Sequence, residues 1–262
     1  MFRQNFSENM EKTTVPRVFC WIMTTSLYRQ SRTIYLEDTW PKRCDRYMFF
    51  TDNATGLDES FHKAIFANLN EGHENLWEKT KAAMQYIYEN LVNDFDYFLK
   101  ADDDTYIVVE NLRQFLAPFN GSDHHYFGYK WSHELRHGHA SGGAGYVLSR
   151  STLKLLVESL SNTTICPAIL ANATNEIAED LQVGRCLENL DIFLEPTADP
   201  KGLEKFLPLH PNLFNLLGKT GEESISSDVI GIHYLSPTEY RLIDFFLYRF
   251  RMANPNERRK LR

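Results

Sequence analysis

The chain has 262 residues, and at roughly 150 residues per domain that length holds one large domain or two small ones. Hydrophobic residues make up 43% and charged residues 24%, which provides for a packed core and excludes wholesale disorder. The formal net charge of −7 excludes a nucleic-acid binder held by a broad basic field, though not a local basic site for a phosphate.

Residues 1–15 are polar and read as a flexible N-terminal arm without the apolar stretch of a signal peptide. RVFCWIM (17–23) and RYMFFT (46–51) are dense in β-formers and read as buried strands. Between 74 and 93, Leu76, Thr80, Ala83, Met84, Ile87 and Leu91 recur at three- and four-residue steps, the mark of a helix with one apolar face. DYFLKA (96–101) is a third strand, and TYIVVENLRQFL (105–116) is expected to be the next helix. YFGYKW (126–131) and AGYVLS (144–149) read as strands, and 151–160 and 176–190 as helices. IHYL (232–235) is a short strand. Ser236-Pro237-Thr238-Glu239 then forms a capping box with proline at the first helical position, and Ile243, Phe246, Leu247 and Phe250 follow at helical spacing. Residues 16–250 are expected to form a single domain, with 251–262 a charged tail. No apolar run reaches the ~18 residues that span a bilayer, so the chain as it stands is expected to be soluble.

Strands alternating with helices imply an α/β layer fold with a mostly parallel central sheet flanked by helices. Ligands in such folds sit beyond the carboxyl ends of the strands. The segment FLKADDDTY (98–106) puts three aspartates at that position. In extended chain, residues i and i+2 point the same way, so Asp102 and Asp104 can share one cation while Asp103 faces elsewhere. Carboxylate oxygens suit Mg²⁺ or Mn²⁺, ions that complete their shell with substrate phosphates and water. The plain alternative is that Asp104 caps the following helix.

Other motifs are weaker. His133-Glu134-Leu135-Arg136-His137 spells a zinc-peptidase signature, but that mechanism needs both histidines one turn apart on a helix, and Gly138, Gly142 and Gly143 follow closely. It reads as a chance match on a polar loop. Gly142 and Gly143 would let backbone approach a ligand closely. Glu179-Asp180 lies in a predicted helix, where one carboxylate near a pocket could act as a general base and a solvated face is the plainer reading. His233, in a short apolar strand, reads locally as a core or capping residue.

Four cysteines, Cys20, Cys44, Cys166 and Cys186, allow three pairings. Closing the shorter loops costs less entropy, which favours Cys20–Cys44 and Cys166–Cys186 among the pairings; four buried free thiols are the plain alternative. Asn-x-Ser/Thr occurs at Asn5, Asn53, Asn120, Asn162 and Asn172, against roughly two or three by chance. Both features point toward an oxidising secretory compartment.

Taken in order, RVFCWIMT (17–24), TWPKRC (39–44), DYFLKADDDTYIVVENLR (96–113), YFGYKW (126–131), SGGAGYVLS (141–149), EDLQVGRCLE (179–188) and DVIGIHYLSPTEYRLIDFFLY (228–248) resemble the core 1 β1,3-galactosyltransferases (T-synthases, glycosyltransferase family 31). The resemblance spans nearly the whole chain and implies a GT-A glycosyltransferase fold. It implies UDP-galactose as donor, Mn²⁺ ahead of Mg²⁺ as cofactor, and inverting transfer to O3 of N-acetylgalactosamine on Ser or Thr of a glycoprotein or glycopeptide acceptor. Asp102–Asp104 match the family's DxD motif, His233 its late metal-binding histidine, Gly142 and Gly143 its donor-pocket loop, and Asp180 its catalytic base. Asp103, Lys79 and Lys100 are the further candidates to meet the donor. The favoured cysteine pairs agree with the family's spacing. The family sits in the Golgi lumen as type II membrane proteins, and a homodimer is compatible with it; nucleic acid is not an expected partner. One segment departs from the pattern: in 210–228, Ser226 and Ser227 stand where the family carries a cysteine pair, and the aromatic acceptor platform is largely missing. A fringe-like β1,3-transferase with another acceptor, and a non-catalytic glycan-binding or chaperone-like relative, are the alternatives.

Overall fold

Six apolar residues in a row, Val18–Met23, form β1, and all six are buried. A strand buried on both faces loses its polar alternation, which is why the run reads as continuous hydrophobicity. The structure is a computed structural model that describes residues 15–70, 72–167, 178–213 and 221–251. The expected arm and tail lie outside the described residues apart from Val15 and Arg251.

Strand β1 is flanked on both sides by parallel neighbours, β2 (Arg46–Phe50) and β4 (Tyr97–Asp102). The two-residue β3 (His62–Lys63) adds in parallel to β2. Beyond β4 come β9 (Tyr146–Ser149) and β6 (Tyr126–Gly128), each paired antiparallel, giving the order β3-β2-β1-β4-β9-β6. Only β9 runs against the rest, so the sheet is mostly parallel, as expected.

Alternation along β1 divides the core. Phe19, Trp21 and Met23 face a layer built by α2 (Leu76–Asn90), α4 (Arg150–Ser159) and α5 (Glu179–Glu188). Val18, Cys20 and Ile22 face the other layer, which holds the short turn α1 (Ile34–Leu36), α3 (Val109–Leu116) and α6 (Pro237–Tyr248). A second, three-stranded sheet lies in that layer, ordered β10 (Phe206–Leu207), β11 (Gly231–Ile232), β5 (Tyr106–Ile107). A hairpin of β7 (Lys130–Trp131) and β8 (His139–Ala140) completes the described strands. Both expected disulfides are present, Cys20–Cys44 and Cys166–Cys186, and no cysteine is free. Among the described residues no helix is long and apolar enough to cross a membrane.

Four expectations change. YFGYKW is not one strand: Tyr126–Gly128 joins the main sheet as β6, and Lys130–Trp131 forms the separate hairpin as β7. Residues 105–116 are not one helix: Tyr106 and Ile107 pair with Ile232 and Gly231, and the helix starts only at Val109. The β-branched residues at 107–109 favour the pairing that long-range contact makes available. IHYL is strand only through Ile232, and Tyr234 takes a left-handed backbone at φ 60°. Phe246 and Leu247 on α6, and Phe250 two residues past its end, are about half exposed rather than packed. The helix is anchored instead by buried Tyr240 and by Asp244, which pairs with Arg43 at 2.8 Å and accepts a hydrogen bond from the Tyr106 hydroxyl at 3.1 Å.

The capping box of α6 is formed, with the Ser236 backbone N–H donating to Glu239 Oε2 at 2.7 Å. The Ser236 hydroxyl and backbone hold the Glu239 carboxyl down to about 2. Its folded value therefore lies below the ordinary one. The stabilisation is complete above about pH 4.5 and is lost as pH falls toward about 2. The side chain is 37% exposed, so solvent screening keeps the contribution modest. Glu239→Gln is expected to flatten the stability-versus-pH curve in that acid window and to lower stability modestly at neutral pH, where the carboxylate's contribution is full. Urea melts at a series of pH values read this directly.

Candidate active site

The carboxyl edge of the main sheet opens into a cleft of about 800 Å³. Its floor is the end of β4. Phe98, Lys100 and Asp102 alternate onto the face covered by α2 and α5, while Leu99 and Ala101 pack on the other. Past the strand the chain turns through Asp103, Asp104 and Thr105. Three side-chain hydrogen bonds hold that turn, beside the Leu235 backbone N–H that donates to Asp104 O at 3.0 Å. The Trp40 indole N–H donates to Thr105 O at 2.9 Å, the Tyr240 hydroxyl to Asp103 O at 2.8 Å, and the Thr105 hydroxyl to Gly143 O at 2.7 Å.

His233 arrives from the other layer. The pairing of β5 with β11 begins two residues after Asp104, and it draws the residue after β11 to the end of β4. His233 Nε2 lies 3.2 Å from Asp104 Oδ1. Its Nδ1 lies 3.0 Å from Pro208 O, and a carbonyl only accepts, so Nδ1 carries the proton and donates. That leaves Nε2 as the nitrogen turned to the acids, and a ring fixed through its other nitrogen is how metal-ligating histidines are held. One ligand atom each from Asp102, Asp104 and His233 fall within 4.8 Å of one another. Two carboxylates and one oriented imidazole are a fitting donor set for a divalent cation.

Charges around this cluster are balanced from both sides. Burial pushes the Asp104 carboxyl up, but the His233 hydrogen bond and the charges of His233, Arg32 and Lys100 outweigh it and hold the group low. Burial lowers His233, yet Asp104, Asp102 and the Pro208 carbonyl raise it above the ordinary imidazole value. Asp103 turns away, as the i, i+2 geometry predicts, and accepts from the Thr24 hydroxyl at 2.8 Å and from Arg32 at 3.0 Å. Burial pushes it up to about 6. Arg32, which the sequence reading did not single out, also reaches Asp104 at 3.1 Å and lies over the Tyr28 ring at 4.4 Å.

Lys100 is buried and already engaged. Its Nζ meets Asp102 Oδ1 at 2.7 Å, Glu179 Oε1 at 3.0 Å and Gly142 O at 3.3 Å. Glu179 is not on a solvated face. It is buried at the start of α5 and accepts from the Thr80 hydroxyl at 3.2 Å and the Tyr146 hydroxyl at 3.4 Å. Lys100 thus ties a helix, a strand and the glycine loop together. Removing one partner of a buried pair leaves the other uncompensated, at about 3–5 kcal/mol. Lys100→Met is expected to destabilise the fold on that scale, measured by chemical denaturation, with Glu179→Gln in the same protein recovering part of the loss.

Asp180 stands beside Glu179 at the cleft wall. Its Oδ2 accepts from the Gly142 backbone N–H at 2.8 Å and its Oδ1 from the Leu181 N–H at 2.9 Å, which fixes the carboxylate against two elements. Gly142 and Gly143 both line the cleft, as do Lys79 and the exposed rings of Tyr28 and Tyr234. A Cβ on Gly143 would collide with the His233 ring at Cε1. The loop is glycine there because the imidazole occupies the space. Gly143→Ala is expected to displace the ring and weaken divalent-cation binding at least tenfold, the scale of lost ligand orientation. Isothermal titration with the metal alone measures it.

The zinc-type motif does not assemble. His133–His137 is a run of bends, with Glu134 at φ 65°, His133 paired to Glu134 and His137 paired to Glu188. Ser226, at the position of the expected cysteine pair, is buried. It donates to Asp199 Oδ2 at 3.0 Å, which helps to hold the turn at 199–203.

The fold and cleft define an α/β protein whose open cleft gathers Asp102, Asp104 and His233, a set that could hold a divalent cation. A family model described as Fringe-like matches residues 13–199. The glycoprotein-N-acetylgalactosamine 3-beta-galactosyltransferase 1 of Xenopus laevis is 30% identical over 94% of this chain and 69% of its own. A beta-1,3-glucosyltransferase of Mus musculus is 23% identical over 67% of this chain and 34% of its own. A solved galactosyltransferase, LgtC in complex with donor and acceptor sugar analogs, aligns over 93% of this chain at a TM-score of 0.44 and 11% identity. This chain belongs to the Fringe-like glycosyltransferases and, within them, to the core 1 β1,3-galactosyltransferase family expected from its motifs.

Proposed function

We propose that the protein is an inverting β1,3-galactosyltransferase that moves galactose from UDP-galactose to O3 of N-acetylgalactosamine on Ser or Thr of a glycoprotein. The observation that carries this reading is the match to the frog galactosyltransferase across 94% of the chain, which includes every residue of the cleft described above. Asp102, Asp104 and His233 would hold Mn²⁺, or Mg²⁺ in its place. When bound, the metal supplies charge stabilisation to the departing diphosphate.

The chain's own residues carry the remaining tasks. Arg32 and Lys100 balance the acids of the triplet, so that the cluster is not left with three uncompensated charges. Asp180, held by two backbone N–H groups, takes the proton from the acceptor hydroxyl. The acceptor oxygen bonds to the anomeric carbon from one face as the bond to the diphosphate breaks on the other. A single displacement of that kind inverts the configuration. Lys79, buried on α2 and lining the cleft, would meet donor phosphate. The Fringe-like match and the similarity to a β1,3-glucosyltransferase favour one second reading, a β1,3-transferase with a different acceptor. The protein is proposed to work in the Golgi lumen.

The test is a transfer assay with UDP-galactose and an N-acetylgalactosaminyl peptide. Product with a β1,3 linkage supports the proposal. UDP release that needs another acceptor supports the second reading, and no transfer to any sugar acceptor refutes both.

A further inference from the structure

Five sequons run through the chain, and three of them, at Asn53, Asn120 and Asn162, lie among the described residues. All three share one local geometry. The Thr55 backbone N–H donates to Asn53 Oδ1 at 2.9 Å, Ser122 N–H to Asn120 Oδ1 at 3.0 Å, and Thr164 N–H to Asn162 Oδ1 at 3.0 Å. Each is an Asx turn in which the hydroxyl residue of the sequon returns to the asparagine amide. The hydrogen bond engages Oδ1 and leaves Nδ2 as the end of the side chain turned to solvent-exposed surface. Each asparagine and its hydroxyl partner is exposed. None of the three lines the catalytic cleft. The fourth observation concerns compartment. All four cysteines are joined in disulfides, the state of a chain that matures in an oxidising lumen.

We propose that Asn53, Asn120 and Asn162 are N-glycosylation sites, each taking an oligosaccharide from a lipid pyrophosphate-linked donor. The Nδ2 of asparagine forms a bond to the anomeric carbon of the first sugar. The bond from that carbon to the lipid pyrophosphate breaks, the pyrophosphate leaves with the electron pair, and the amide nitrogen gives up one proton. The three glycans then stand on turns that follow β2, α3 and α4, clear of the cleft mouth. This inference is independent of the galactosyltransferase reading. Asn5 and Asn172 fall outside the described residues and carry no part of it.

The experiment is expression of the full chain behind a cleavable secretion leader in animal cells. The secreted protein is treated with peptide N-glycosidase in heavy-oxygen water, and its peptides are read by mass spectrometry. Conversion of all three asparagines to aspartate carrying heavy oxygen is expected. Spontaneous deamidation at Asn120-Gly121 before treatment carries ordinary oxygen and counts against that site. Asn53→Gln, Asn120→Gln and Asn162→Gln are each expected to remove one mobility step on a denaturing gel. Thr55→Ala, Ser122→Ala and Thr164→Ala keep the asparagine and are expected to remove the same step. Galactosyl transfer by these variants is expected to match the unsubstituted protein. An unmodified peptide at any of the three asparagines in the secreted protein overturns the assignment there. A step lost on the asparagine change but kept on the hydroxyl change overturns it as well.

Discussion

Asp104→Ala is expected to lower galactosyl transfer about a thousandfold or more, with melting behaviour close to that of the unsubstituted protein. The size follows from what the position supports. A metal that stabilises the leaving charge is worth several kcal/mol, and each 1.36 kcal/mol is about tenfold in rate. Asp104 is one of three groups whose ligand atoms converge, and it is the one that contacts His233, so its loss removes a ligand and frees the imidazole. The fold is expected to survive because the turn is held through its backbone, by Trp40, Tyr240 and Leu235, not through the Asp104 carboxylate. Arg32 also retains its pairing with Asp103. Steady-state rates with Mn²⁺ in excess, together with thermal melts, measure both halves. Unchanged transfer removes Asp104 from the metal site.

Asp180→Asn separates chemistry from binding. Loss of a positioned general base costs typically 10²–10⁴-fold. The amide keeps an oxygen to accept from one of the two backbone donors that hold Asp180, so the wall of the cleft is expected to stay in place. Turnover is therefore expected to fall by about that factor while UDP affinity stays within a fewfold of the original. Calorimetry with UDP and single-turnover rates give the two numbers. Equal loss of both would assign Asp180 to holding the Gly142 loop and not to proton transfer.

Much of the frame could be read from the sequence, and the reasons are local. Val18–Met23 and Tyr97–Asp102 are short, dense in β-formers and bounded by polar residues, so their period and their ends are both visible. The acid triplet was visible as a candidate because it sits directly after such a strand, where an α/β fold places its ligands. The two cysteine pairs followed from the cost of closing a loop, and both are formed.

What escaped the sequence depended on distant partners. Tyr106–Ile107 is strand only because β11, more than a hundred residues later, supplies the edge it pairs with. Arg32 lies in a single π-helical turn, Arg29–Thr33, with no motif around it, and it meets Asp103 across 71 positions. Glu179 looked like half of a solvated acidic pair, yet its partner Lys100 is buried beneath it on β4. A lysine inside an otherwise apolar strand was the available signal, since a buried charge has to be paired. The apolar spacing on α6 was read correctly as helical, but periodicity does not say what a face packs against. Phe246, Leu247 and Phe250 remain exposed.

The central claim is a metal-dependent nucleotide-sugar site at the end of β4, built by Asp102, Asp104 and His233. Titration calorimetry with UDP, with and without Mn²⁺, on the unsubstituted protein and on Asp104→Ala, tests it most directly. Binding that needs Mn²⁺ and disappears in the variant is the predicted result. Binding that ignores Mn²⁺, or no binding in either protein, would contradict it and point to a non-catalytic member of the family.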